Sequence, residues 1–232
     1  MQGGFQMLKG TVLQVKNLDD AQIRSMYSIM TKYFDNIIES NFYNDLFKKE
    51  DAILLFDEND VIHGFTSLAI FPQDECTQLI FSGDTIIEKE YWGNNDLQLI
   101  WIKNALAHAE KFDGKTYWLL LSKGYKTYRF LPTFFNNYYP RADRETPKEI
   151  QKIIDRFARQ QFGDHYQDGV WVANKDFLKK DFAEISEARL KDKHIAFFLE
   201  KNPDYKKGNE LVCIAELCVD NLNRAGGKVL GK

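Results

Sequence analysis

Two apolar strands joined by an amphipathic helix constrain this chain more than any other stretch. The run "CTQLIFSGDTII" (Cys76 to Ile87) is apolar and β-branched, and a short polar turn centred on Gly93 follows it. "TYWLLLS" (Thr116 to Ser122) has the length and composition of a buried strand. Between them Leu97, Ile100, Trp101, Ala105, Leu106 and Ala109 form one apolar stripe, with Gln98, Lys103, Asn104 and Glu110 largely off it, and Asp113-Gly114 ends the helix. Such a stripe must be buried against another element. The expectation is one sheet holding both strands, with the helix across one face. Gly83, inside the first strand, marks a bulge or a close backbone approach.

Around this unit other elements can be read. "TVLQVK" is a first strand; Asp19 or Asp20 caps a helix in which Ile23, Met26, Tyr27, Met30 and Phe34 recur at helical spacing; a second helix covers about 38–48. Two apolar runs between Ala52 and Phe71 flank Asp57-Glu58-Asn59-Asp60, which is hairpin chemistry. Beyond Ser122 an aromatic-rich stretch surrounds Pro132, where a helical segment is expected to start and to stop before Pro140. An amphipathic helix closed by Gly163, a strand "GVWVA", a charged helical stretch over 176–190 and a strand "IAFFLE" come next, and 211–222 is strand or helix. The fold class is therefore α/β (α+β): a mixed, mostly antiparallel sheet flanked by helices. No linker or repeat divides 1–232, so it reads as one domain, with a core over roughly 11–140 and a C-terminal elaboration over 141–232 that completes the sheet.

The order strand, two helices, three strands, helix, strand resembles that of the GCN5-related N-acetyltransferase (GNAT) superfamily. A family pattern like V-x-P-E-Y-R-G-x-G-x-G is met here by Ile87-Glu88-Lys89-Glu90-Tyr91-Trp92-Gly93-Asn94-Asn95-Asp96-Leu97. Glu90, Tyr91 and Gly93 match it; Trp92 replaces Arg or Gln, and Asn95 and Leu97 replace the second and third glycines. The resemblance implies an acyltransferase whose turn holds the pyrophosphate of acetyl-CoA or a longer acyl-CoA on backbone N–H groups, where the helix dipole is positive. It places the coenzyme on Ile86, Ile87, Tyr91, Trp92, Gly93, Asn94 and Asn95. Asp84, which shares a strand face with Glu88, would be base or base relay. Tyr128, and next Tyr138, would protonate the departing thiolate. The acceptor would be a small-molecule or peptide amine, with an acyl carrier protein as an alternative donor. The departures from the motif leave a second reading open: a non-catalytic scaffold of the same fold that has lost the coenzyme.

Net charge is −3 and 28% of residues are charged, which gives no basic excess for nucleic acid. Cys76, Cys213 and Cys218 make no disulfide framework, and the four histidines lack ligand spacing, so no metal is expected. With no apolar run approaching the ~20 residues of a membrane span, and no secretory signal in "MQGGFQMLKG", the sequence reads as cytoplasmic.

Overall fold

The computed structural model describes residues 8–92, 96–173 and 176–231. Strand β1 (Lys9–Gln14) leads to α1 (Asp20–Tyr33), which starts on a capping box. Asp19 Oδ1 accepts the Gln22 N–H at 2.8 Å, and the Asp19 N–H donates to Gln22 Oε1 at 3.0 Å. A two-residue strand β2 (Phe34–Asp35) precedes α2 (Glu39–Leu46). The hairpin of β3 (Asp51–Phe56) and β4 (Ile62–Asp74) turns where Asp57 Oδ1 accepts the N–H groups of Asn59 and Val61. β5 (Thr77–Ser82), β6 (Ile86–Ile87), α3 (Asp96–Ala109) and β7 (Lys115–Ser122) complete the order read from the sequence.

The later chain corrects several expectations. Pro132 does not open its helix. α4 (Tyr125–Tyr128) and α5 (Phe130–Phe134) precede and contain it, with Pro132 in the first turn of α5, where an N–H is not needed. After α6 (Lys148–Phe162) come the short strands β8 (Tyr166–Gln167), β9 (Val170–Trp171) and β10 (Phe177–Leu178), then one-turn helices α7 (Lys180–Ala183) and α8 (Glu187–Leu190). "IAFFLE" is not a strand. It belongs to α9 (Lys193–Lys201), because Asp192 accepts the His194 and Ile195 N–H groups as a cap, and Ile195 and Phe198 bury one helical face. Residues 211–222 begin as strand β11 (Glu210–Glu216) and end in a 3-10 turn.

The main sheet runs β1-β3-β4-β5-β7-β11-β9-β8, with β6 on β4. β5 and β7 are parallel; the other neighbours are antiparallel. It is a mixed, mostly antiparallel sheet flanked by helices. Successive residues of its central strands go to opposite faces, and both faces are covered, which is why these strands are apolar throughout. Ile80 and Trp118 pack under α3 with Leu97, Trp101 and Ala105. Leu79 and Leu119 pack under α6 with Ile154, Phe157 and Ala158, while Leu54 and Phe65 lie under α1. A second small sheet pairs β2 with β10, joining the end of α1 to the segment before α7. Among the described residues no helix is long and apolar enough to cross a membrane.

Candidate active site

β7 pairs with β5 from Thr77↔Lys115 to Phe81↔Leu119, and there the strands part. On one side the Gly83 N–H still reaches the Ser67 carbonyl at 3.1 Å, and the chain rejoins β4 at Ile86 and Ile87. Gly83-Asp84-Thr85 is thus a bulge, as its glycine suggested. A Cβ on Gly83 would lie 2.2 Å from Ser67 Oγ. Thr85 Oγ1 lies 2.7 Å from Thr66 Oγ1 and 3.2 Å from the Gly83 carbonyl, which pins the bulge. On the other side β7 runs into Lys123-Gly124 and α4.

The edge of β6 away from β4 pairs with no strand among the described residues. The Glu88 N–H donates to the His63 carbonyl at 2.8 Å, so the adjacent Gly64↔Ile87 pair is the non-hydrogen-bonded one of the antiparallel ladder. The Ile87 peptide groups then face away from β4, toward the gap left by β7. The Ile87 carbonyl accepts the Trp92 indole N–H at 2.8 Å.

Two chambers meet in that gap. One, of about 410 Å³, lies toward α3 and α4, between Tyr33, Ile87, Trp92, Gln98, Lys126 and Phe182. The other, of about 290 Å³, lies toward α2 and α6, between Asp45, Phe81, Asp84, Phe162, Trp171 and Asp176. Phe34, Thr85, Lys123 and Thr127 line both, so they form the junction.

The junction is strongly charged. Asp84 has no hydrogen-bond partner among the described residues and is partly exposed to the second chamber. Burial, then the nearby Asp45 and Asp176 carboxylates, push its carboxyl up to about 6 against the opposing pull of Lys123 and Lys49. The Lys123 ammonium bonds to Asp176 and lies 3.6 Å from Glu210. Burial opposes its charge, but Glu210, Asp176 and Asp84 outweigh that, and its pKa lies above the ordinary lysine value. In the first chamber Lys126 stands 3.4 Å over the Trp92 ring. Burial, helped by Arg189 and Lys89, brings its pKa down to about 8. Gln98 is buried there with its Oε1 unpartnered among the described residues.

The structure brings together only some of the residues singled out by sequence. Asp84, Ile86, Ile87 and Trp92 meet at the gap, while Tyr91 packs its ring 4.8 Å from that of His63. Gly93, Asn94 and Asn95 lie outside the described residues. Tyr128 and Tyr138 line neither chamber. Tyr128 is 0% exposed, donates its hydroxyl to the Pro140 carbonyl at 2.9 Å, and burial pushes its phenol far above the ordinary range. Tyr138 is 2% exposed; its hydroxyl lies 3.2 Å from His194 Nδ1 and Arg141 stacks over its ring. One turn of α4 explains the position of Tyr128: Tyr125, Lys126 and Thr127 face the cleft and Tyr128 turns inward. Tyr128→Phe is therefore expected to lower stability by about 0.5–1.5 kcal/mol, the loss of one hydrogen bond, while leaving turnover unchanged. Chemical denaturation and a rate assay on the same preparation check both halves.

Lys123, Thr85, Gln98 and Asp176 carry no motif. Lys123 does carry one signal, a lysine set directly at the end of a buried strand and before a glycine, but a solvated helix face is the simpler reading of it from sequence.

No protein-family model and no curated protein matches the sequence. Among solved structures, the GNAT family N-acetyltransferase YhbS from Escherichia coli, in complex with CoA, is 13% identical with a TM-score of 0.40, covering 55% of this chain and 69% of that one. Escherichia coli ElaA is 15% identical with a TM-score of 0.39, covering 61% and 95%. The catalytic domain of the Tetrahymena GCN5 histone acetyltransferase, in complex with coenzyme A, is 9% identical with a TM-score of 0.42, covering 72% and 89%. The chain itself has the element order from β1 to β7 on which the sequence resemblance rests, and a mixed sheet in which β5 and β7 pair in parallel and then part.

Proposed function

We propose that this protein is an acyltransferase that moves an acyl group from CoA, or a related pantetheine thioester, to an amine. The observation that carries the reading is Asp84, a carboxyl with no hydrogen-bond partner among the described residues and a pKa near 6, which faces the second chamber beside the junction. A thioester reaching in from the first chamber lies along the β6 edge away from β4, where the Ile87 N–H, without an acceptor among the described residues, is available to it. The amine comes from the second chamber as an ammonium ion. Asp84 is ionised at neutral pH and takes the proton that frees the nitrogen lone pair. The nitrogen attacks the carbonyl carbon, the carbon–sulfur bond breaks as the tetrahedral adduct collapses, and the second nitrogen proton ends on the sulfur, giving an amide and a free thiol. Much of the rate would come from holding amine and thioester in contact.

A scaffold that has lost its coenzyme is the second reading. It is favoured by Leu97, a 0% exposed core residue at the position of the motif's third glycine. Thermal melting with CoA, acetyl-CoA and longer acyl-CoA separates the two. A ligand at about a hundred times its Kd stabilises the fold by about 2.7 kcal/mol, so a concentration-dependent rise in Tm is expected. Gly93→Asp, which adds a like charge where the resemblance puts the pyrophosphate, is expected to remove the rise. No shift with millimolar CoA, acyl-CoA or a phosphopantetheine-loaded carrier would leave the scaffold reading standing.

A further inference from the structure

The second chamber is charged at one end and aromatic at the other. At the charged end Lys123 is engaged by Asp176 and Glu210, and Lys49 by Asp45 at 3.0 Å. Asp84 is left facing the space with no hydrogen bond or ion pair among the described residues. At the far end Phe71 and Phe81 of β4 and β5 meet Phe157 and Phe162 of α6 and Trp171 of β9. Phe71 lies 5.5 Å from Phe157, Phe157 lies 6.1 Å from Phe162, and Phe162 stacks on Trp171 at 4.2 Å and 10°. These rings form one continuous wall.

We propose that this chamber takes an arylalkylamine, a primary amine on a short chain ending in an aromatic ring, with its ammonium against Asp84 and its ring on the wall of Phe71, Phe81, Phe162 and Trp171. The inference rests on the acyl-transfer reading for what happens to the amine, but the binding itself does not need it. Size agrees with a small amine: about 290 Å³ lies just under the roughly 300 Å³ at which drug-sized ligand sites begin. Chemistry weighs against the competitors. A polyamine's second ammonium would meet Lys48 and Lys49, which line the same space, Lys49 already standing 4.8 Å over the Phe81 ring. A peptide brings amide groups that the rings leave without hydrogen bonds, which costs a few kcal/mol for each buried group. A ring on the wall instead gains buried area and favourable aromatic contacts.

Isothermal titration of the full chain tests this, with phenethylamine and tryptamine against hexylamine, spermidine and a lysine-containing peptide. The aromatic amines are expected to bind at least about tenfold more tightly than the others, a difference of roughly 1.4 kcal/mol. Asp84→Asn is expected to weaken every amine. Phe71→Leu and Phe162→Leu, which keep apolar volume, are expected to erase the aromatic preference over hexylamine. Equal or tighter binding of hexylamine, spermidine or the peptide overturns the inference, and so does no binding of aromatic amines at millimolar concentration. Thiol release from acetyl-CoA and longer acyl-CoA then separates the two ideas. Aromatic amines that bind without any thiol release sustain this inference and sink the acyl-transfer reading. Release with the peptide or polyamine alone does the reverse.

Discussion

Asp84→Asn is expected to lower kcat/KM about a hundredfold to ten-thousandfold at neutral pH, the usual cost of losing a general base. In the unchanged protein activity should rise as pH passes about 6, where the carboxyl ionises, and then level off. The groups that set this position face Asp84 from several elements: Asp45 and Lys49 from the end of α2, Lys123 beyond β7, and Asp176 before β10. The asparagine variant should lack that limb altogether. Its stability should move the other way. A carboxyl whose folded pKa is raised from 3.8 to about 6 binds more protons folded than unfolded between those values, so it removes stability as pH rises through them. At neutral pH the ionised Asp84 is a burden on the fold. Asp84→Asn should then be more stable by roughly 1–3 kcal/mol, since each tenfold change in proton affinity is worth about 1.4 kcal/mol. Melting curves and a pH–rate profile measured together decide the matter. A variant that loses both activity and stability shows a structural carboxylate instead of a base.

Lys123→Met is the second large effect. The side chain of Lys123 is 13% exposed and its ammonium serves Asp176 and Glu210, whose own side chains are 18% and 9% exposed. Removing the cation leaves buried carboxylates uncompensated, and breaking such a group typically costs about 3–5 kcal/mol. Because the cost is that of carboxylate charge, it should be largest at neutral pH and shrink as the solution is acidified. Lys123 also pulls the Asp84 pKa down, so the acid limb of any residual activity should move above 6 in the variant. Denaturant titrations at two pH values measure the first effect and a rate profile the second. Adding Asp176→Asn to Lys123→Met should restore part of the stability. A single variant as stable as the parent, with its limb unmoved, would show that Lys123 does not organise the junction.

The elements that hold the cleft are legible because their signals are local. The stripe from Leu97 to Ala109 recurs at helical spacing, Asp19 or Asp20 offers a cap, Asp57 to Asp60 spell a turn, and "TYWLLLS" has the length and composition of a buried strand. The misreadings share a cause as well. "IAFFLE" looks like a strand by composition, but the Asp192 cap and the burial of Ile195 and Phe198 make it α9. Leu211 to Glu216 is ambiguous by periodicity, and pairing with β7 on one side and β9 on the other makes it a strand.

The site divides the same way. The bulge at Gly83, the carboxylate beside it and the helix start that follows are written in the chain itself, because each depends on residues within a few positions of one another. The inward turn of Tyr128 and Tyr138 is not, since a single turn of α4 and the carbonyl of Pro140 set the first, and His194 and Arg141 surround the second. Packing alone gathers Asp45, Asp84, Lys123, Asp176 and Glu210 from five separate stretches of chain around one gap. Charge and burial act through space, and a pKa near 6 arises from the sum of neighbours that stand far apart in the sequence.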